Sequence, residues 1–133
     1  WASDIEPQAE GIHESPYDKL GFDEFIESDY IITNPPWDRK ILHPMIEFFA
    51  RKQPTWLLFD ADWMHTKQSR EYMWLCRKIV SVGRIKWFGN TTGKDNCAWY
   101  LFKEEFAWNV KPPEFIGRMV WLEELKMRYR LGF

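Results

Sequence analysis

Two consecutive prolines place the strongest local constraint on how this chain folds. Pro35 and Pro36 follow residues 29–33, a short apolar run with two β-branched isoleucines that predicts a strand buried on both faces. Neither proline can donate a ladder hydrogen bond, and each pushes the residue before it into extended conformations. Residues 34–37, the proline turn, are therefore expected to form a rigid turn at the carboxyl end of a strand, where ligands bind in open α/β sheets.

Two stretches carry the spacing of apolar residues that is typical of helices. In residues 41–52 one apolar stripe is formed by Ile41, Met45, Phe48 and Phe49. Pro44 is tolerated only in the first turn of a helix, so we expect this helix to start a residue or two later. Residues 66–81 show a similar stripe and predict a second helix.

Strand patterns recur three times after the proline turn. Residues 56–59 predict a buried strand, residues 84–88 alternate polar and apolar side chains, and residues 98–102 predict a last strand. Strands alternating with helices predict an α/β domain with a mainly parallel sheet. The connection between the last two strands, about nine residues long, is too short for a parallel crossover, so this pair is expected to be antiparallel.

The length and composition are those of one folded domain. With 133 residues, of which 45% are apolar and 18% aromatic, the chain has room for a single core and is not a disordered tail. We expect a domain over residues 1–110 and a C-terminal extension over residues 111–133, in which residues 121–130 form either a helix or a mobile end. No uncharged run approaches the ~20 apolar residues of a membrane-spanning helix, and no secretory signal is visible.

The cysteines and histidines exclude several kinds of site. Cys76 and Cys97 are too few for a disulfide framework or a four-ligand zinc site, so we expect reduced thiols in a cytoplasmic protein. No metal is expected, because none of the histidines lies in a metal-binding spacing with the others: His13, His43 and His65.

Charge is distributed unevenly along the chain. Residues 1–33 hold nine acidic residues and one lysine, whereas residues 38–86 hold ten basic and five acidic residues; the whole chain has a net charge of −2. The middle of the chain would attract a polyanion and the first third would repel one, although ordinary solvated faces explain the same pattern. Arg39, Lys40 and Lys94 are candidate phosphate contacts, with solvation as the alternative for each.

The proline turn presents groups that suit a planar amine. It holds the Asn34 amide, two backbone carbonyls that no helix can use, and the large aromatic ring of Trp37. Acceptors in a fixed array suit an exocyclic amino group, and an aromatic plate beside them suits a flat ring. A plain Pro-Pro turn with a core tryptophan is the alternative explanation.

The tetrapeptide resembles the catalytic motif of amino-group methyltransferases that use S-adenosylmethionine, in which Asp, Asn or Ser precedes Pro-Pro and an aromatic residue. An acidic lead-in followed by a basic, tryptophan-rich stretch most resembles the phage-type DNA adenine-N6 enzymes. The resemblance implies that the Asn34 side chain and the Pro35 carbonyl accept the two N–H bonds of the target amine. It also implies that Pro36 sets the turn and that Trp37 stacks on the base.

This resemblance covers most of residues 1–106 and implies a Rossmann-like methyltransferase sheet. Residues 29–33 resemble the family's fourth strand and residues 55–59 its fifth. Residues 84–88 and 98–102 resemble the terminal antiparallel pair.

Cofactor contacts are implied only for the first part of the chain. Residues 1–7 resemble the second strand, in which Asp4 would bind the ribose hydroxyls of S-adenosylmethionine and Ile5 would pack on its adenine. Asp18 is the candidate for the acid of the third motif, although the alignment of this stretch is ambiguous.

One departure from the family is large. Its first strand and glycine-rich cofactor loop have no counterpart, since no two of the seven glycines have the spacing GxG. In this fold the first strand lies between the second and the fourth. We therefore expect one of three arrangements where the first strand is missing. Residues before Trp1 supply it, the second strand shifts to pair with the fourth, or another chain fills the position. The last case includes a homo-oligomer that forms through open sheet edges. Weak or absent binding of S-adenosylmethionine is expected for the chain as it stands.

The function implied by the resemblance is methyl transfer from S-adenosylmethionine to the N6 amine of adenine in DNA. The same chemistry on RNA adenine, RNA guanine N2 or a protein glutamine amide is an alternative. A further alternative is a non-catalytic remnant that binds nucleic acid or a partner.

Overall fold

The computed structural model describes residues 3–4, 6–7, 9–21, 23, 25, 28–87 and 95–117. The expectations for Ile5, for Lys94 and for the tail at residues 121–130 lie outside these residues. The described strands and α-helix, in chain order, are β1 (Ser3–Asp4), β2 (His13–Glu14), β3 (Ile31–Thr33), α1 (Arg39–Ala50), β4 (Thr55–Asp60), β5 (Cys76–Ile85), β6 (Asp95–Phe102) and β7 (Glu114–Ile116).

A five-stranded sheet with the order β3-β4-β6-β5-β7 forms the centre of the described structure. β3 pairs in parallel with β4, and β7 pairs in parallel with β5, whereas β6 is antiparallel to both of its neighbours. The α/β class and the antiparallel pair are therefore confirmed. The sheet is mixed rather than mainly parallel, because β6, its central strand, is antiparallel to the other four.

Helix α1 begins earlier than the apolar spacing predicts. The Asp38 carboxylate accepts the backbone N–H of Lys40 at 2.9 Å, and this N-cap sets the first helical residue at Arg39. Pro44 consequently lies in the second turn, where the carbonyl of Lys40 has no N–H to accept from it. Its exposed position limits the cost of the missing bond. The buried stripe of α1 consists of Leu42, Met45, Ile46, Phe49 and Ala50, whereas Ile41 is exposed.

The main core lies between α1 and one face of the sheet. Phe59 of β4 stacks on Tyr100 of β6 at 4.3 Å between ring centroids, and the edge of Trp63 packs against both rings. Leu42 and Ile46 of α1 belong to the same buried cluster. This packing fixes the start of α1 over the sheet, and with it the turn that precedes the helix.

The helix predicted over residues 66–81 is wrong. Short 3-10 helices at Gln68–Glu71 and Met73–Leu75 are followed directly by β5, which begins at Cys76. The β-branched Ile79 and Val80 favour a strand, and pairing with β6 decides the matter. Residues 84–85, predicted as the start of a strand, are the end of β5.

The composition of β3 predicts a strand buried on both faces, and this prediction is wrong. Ile32 is 67% exposed, and β3 lies at the edge of the sheet among the described strands. Ser3–Asp4 pairs with His13–Glu14 in a separate two-stranded sheet, so the expected shift of this strand onto β3 does not occur. No helix in the described part of the chain has the length and apolar character needed to span a membrane.

Candidate functional site at the carboxyl edge of the sheet

The carboxyl ends of β3, β4 and β5 lie at one edge of the sheet, together with that of β7, which is parallel to β5. β4 and β5 are both antiparallel to β6, so they run in the same direction, and β3 runs parallel to β4. The residues that follow these strands therefore meet at the carboxyl edge of the sheet. They are the proline turn after β3, the segment from Ala61 after β4, and Trp87 after β5.

The backbone of the proline turn is fixed at both of its ends. Thr33 pairs with Leu57 of β4 before the turn, and Asp38 caps α1 immediately after it. Pro35 is buried, whereas Asn34 and Pro36 are exposed. Among the described residues no hydrogen bond forms to the Asn34 side chain or to the Pro35 carbonyl. Neither acceptor that the resemblance assigns to an amine is therefore engaged by a described residue, and the two prolines restrict the backbone that carries them.

Trp37 is half-buried at the same edge. Its ring packs against the main core, and it also meets Trp87 edge to face, with 6.1 Å between ring centroids and 78° between ring planes. Trp87 was not assigned a role from the sequence, where it is one apolar position of an alternating strand. A tryptophan two residues after a strand, at the edge where ligands bind, is the signal that could have identified it.

Polar groups after β4 serve the fold. The Asp60 carboxylate accepts the backbone N–H of Asp62 at 2.9 Å and so starts a 3-10 helix, Ala61–His65. The buried hydroxyl of Tyr100 donates to the carbonyl oxygens of Asp60, at 2.9 Å, and Ala61, at 3.2 Å. These bonds hold the end of β4 in place beneath the proline turn.

Acidic and basic side chains both lie beside the turn, since Asp38 follows it directly and Asp60 and Asp62 lie at or just after the end of β4. Arg39 and Lys40 form the exposed first turn of α1, and neither makes an ion pair within the described residues. The positive end of the helix dipole adds to their field. The charge at this edge is therefore mixed, and phosphate contacts by Arg39 and Lys40 stay a prediction.

His43 belongs to an aromatic cluster one turn further along α1. The Trp63 indole N–H donates to His43 Nε2 at 3.1 Å. The imidazole packs on the ring of Tyr72, with 4.3 Å between ring centroids. Burial, with the positive charge of Arg39, lowers the pKa of His43 below its usual value. The ring is therefore neutral near pH 7, and its contacts serve the fold.

The proposed cofactor residues are not brought together at this edge. Asp18 is exposed, and the neighbouring Tyr17 packs on Phe48 and Phe49 near the end of α1. Ten helical residues, or about 15 Å at ~1.5 Å per residue, separate that contact from the start of α1. Asp4 lies in β1, apart from the five-stranded sheet, and its side chain and Ile5 are outside the described residues.

Other sites are sparse in the described part of the chain. Two grooves of about 520 and 340 Å³ share Glu105 and Asn109 and lie at the opposite edge of the sheet. The described residues hold no group of three or more His, Cys, Asp or Glu side chains that could bind a metal ion.

Comparisons of the chain with models of protein families, with curated proteins and with solved structures find no match. The geometry of the carboxyl edge is therefore the basis for the functional proposal.

Proposed function

We propose that this chain transfers a methyl group from S-adenosylmethionine to the exocyclic N6 amine of adenine in DNA. The observation that carries the proposal is that the Asn34 amide and the Pro35 carbonyl accept no hydrogen bond from a described residue, with Trp37 beside them. The alternative, a plain Pro-Pro turn with a core tryptophan, predicts a buried Trp37, whereas this residue is half-buried.

The acceptors suit the chemistry of an adenine amine. Its nitrogen is a poor nucleophile because the lone pair is delocalised into the ring. Two carbonyl dipoles that accept its N–H bonds stabilise the positive charge that develops on nitrogen, and they do so more strongly in the transition state than in the ground state. A strong base is not required before the attack.

Trp37 and the cationic helix start would bind the nucleic acid. A base inside a duplex must leave the stack to reach the turn, which costs a few kcal/mol. Stacking on an indole returns about 1–3 kcal/mol per base. Arg39 and Lys40 lie three to four residues from Pro36 and are free to contact phosphates.

The strand pairing gives further support. The strands that resemble the family's fourth and fifth pair in parallel, and those that resemble its terminal pair are antiparallel. S-adenosylmethionine fits less well, because β1, which contains Asp4, belongs to a separate sheet and Asp18 lies near the far end of α1. The mechanism is therefore derived for the acceptor side only.

A methylation assay with labelled S-adenosylmethionine tests the proposal on three substrates: duplex DNA, RNA and a glutamine peptide. Incorporation into DNA adenine supports it. Incorporation into RNA or peptide alone assigns the same chemistry to another amine and overturns the proposed substrate.

The scattered cofactor residues favour a second candidate, a nucleic-acid-binding protein without methyl transfer. This candidate predicts binding of DNA that Arg39→Ala and Lys40→Ala weaken, with no incorporation of label on any substrate. Isothermal titration with S-adenosylmethionine separates the two, since a measurable affinity favours the enzyme.

A further inference from the structure

We infer that Trp87 is a positioning residue that orients Trp37 for stacking on a nucleobase. The inference rests on the proposed function of the proline turn and names a residue that acts through another side chain. Trp87 lies two residues after the end of β5, and Trp37 lies four residues after the end of β3.

The contact between the two rings spans the sheet. β4 and β6 lie between β3 and β5, so the backbones of β3 and β5 are about 14 Å apart at ~4.8 Å per strand. The indoles nevertheless meet, with 6.1 Å between centroids and 78° between planes. The pair therefore bridges the carboxyl edge above the end of β4.

This arrangement limits how the Trp37 ring can move. The proline turn fixes the backbone, the core holds one part of the ring, and Trp87 holds another. A half-exposed indole without such contacts would sample several rotamers, and stacking on a base would then have to restrict it. Trp87 supplies that restriction before the base arrives.

The substitution Trp87→Leu removes the ring contact, and Trp87→Phe keeps an aromatic edge. Trp74→Leu is the matched control, because Trp74 is also partly exposed but precedes β5, at the opposite edge of the sheet. The probe is a single-stranded DNA oligonucleotide with 2-aminopurine at one position, whose fluorescence is quenched when it stacks on an indole. Stability in urea identifies any variant that fails to fold.

Ordering one side chain on binding lowers affinity by a factor of about two to ten. We therefore expect Trp87→Leu to raise the dissociation constant of the probe by that factor. Trp87→Phe is expected to retain most of the wild-type affinity, and Trp74→Leu to leave the affinity unchanged. In methylation assays KM rises and kcat stays the same, because stacking is formed equally in ground and transition states.

A merely structural role for Trp87 predicts the reverse, a lower kcat from a smaller folded fraction with KM unchanged, and that result overturns the inference. Equal probe affinity in the wild type and in Trp87→Leu also overturns it. A wild type that transfers no methyl group refutes the proposed function, and the positioning role is still supported if Trp87→Leu binds the probe more weakly. A wild type that does not quench the probe contradicts both.

Discussion

The hydroxyl of Tyr100 is the best place to test how the carboxyl edge is held. This side chain is fully buried, and its single proton is shared between the carbonyls of Asp60 and Ala61. Tyr100→Phe keeps the stacked ring and removes the donor. One net hydrogen bond is lost, and its acceptors are on half-buried residues, so we expect a loss of about 0.5–1.5 kcal/mol in the free energy of unfolding.

Urea denaturation followed by tryptophan fluorescence measures this loss, and the slope of the transition shows whether the native state stays compact. Tyr30→Phe is the matched control, because Tyr30 is 54% exposed; we expect it to change stability by less than ~0.5 kcal/mol. If Tyr100→Phe is as stable as the wild type while Tyr30→Phe behaves as expected, the hydroxyl does not hold the end of β4 and the reasoning is refuted.

Three further results are expected. Because the pKa of His43 is lowered in the folded state, the unfolded chain binds a proton first as the pH falls, and the free energy of unfolding decreases below the ordinary pKa of 6.5. His43→Gln is expected to flatten this dependence of stability on pH, measured by urea titrations at several pH values. An unchanged dependence contradicts the assignment. Asp38→Ala removes the N-cap of α1 and costs about 1 kcal/mol in the same assay, whereas a neutral result argues against the cap. Cys76 and Cys97 are buried, and burial raises the pKa of Cys76 to about 12, so neither thiol reacts with Ellman's reagent at pH 8 until the protein is unfolded; rapid reaction of the native protein is inconsistent with this burial.

Elements whose burial follows from local composition could be predicted from the sequence. Residues 56–59 and 98–102 are apolar runs, and both form central strands of the sheet. The proline turn also occurs where predicted, because two prolines restrict the backbone without help from the rest of the fold. Its neighbour Asp38 fixes the start of α1, a capping signal that the apolar stripe alone does not contain.

The errors concern contacts between distant parts of the chain. Residues 66–81 have apolar side chains at helical spacing, but the strand from Cys76 pairs with residues some twenty positions later. Exposure of Ile32 depends on which strand lies beside β3, and composition cannot report this. The Trp37–Trp87 contact likewise requires the strand order, since the two residues are separated by fifty positions in the chain.

The central claim is that the acceptors of the proline turn bind the amine that is methylated. Transfer of a tritiated methyl group to N6 of adenine, measured for Asn34→Ala beside the control Asn109→Ala, tests it most directly, because Asn109 is an exposed amide at the opposite edge of the sheet. Loss of one preorganised polar group at a developing charge predicts a fall in kcat of roughly a hundredfold for Asn34→Ala and none for Asn109→Ala. Full transfer by the Asn34→Ala protein would contradict the account.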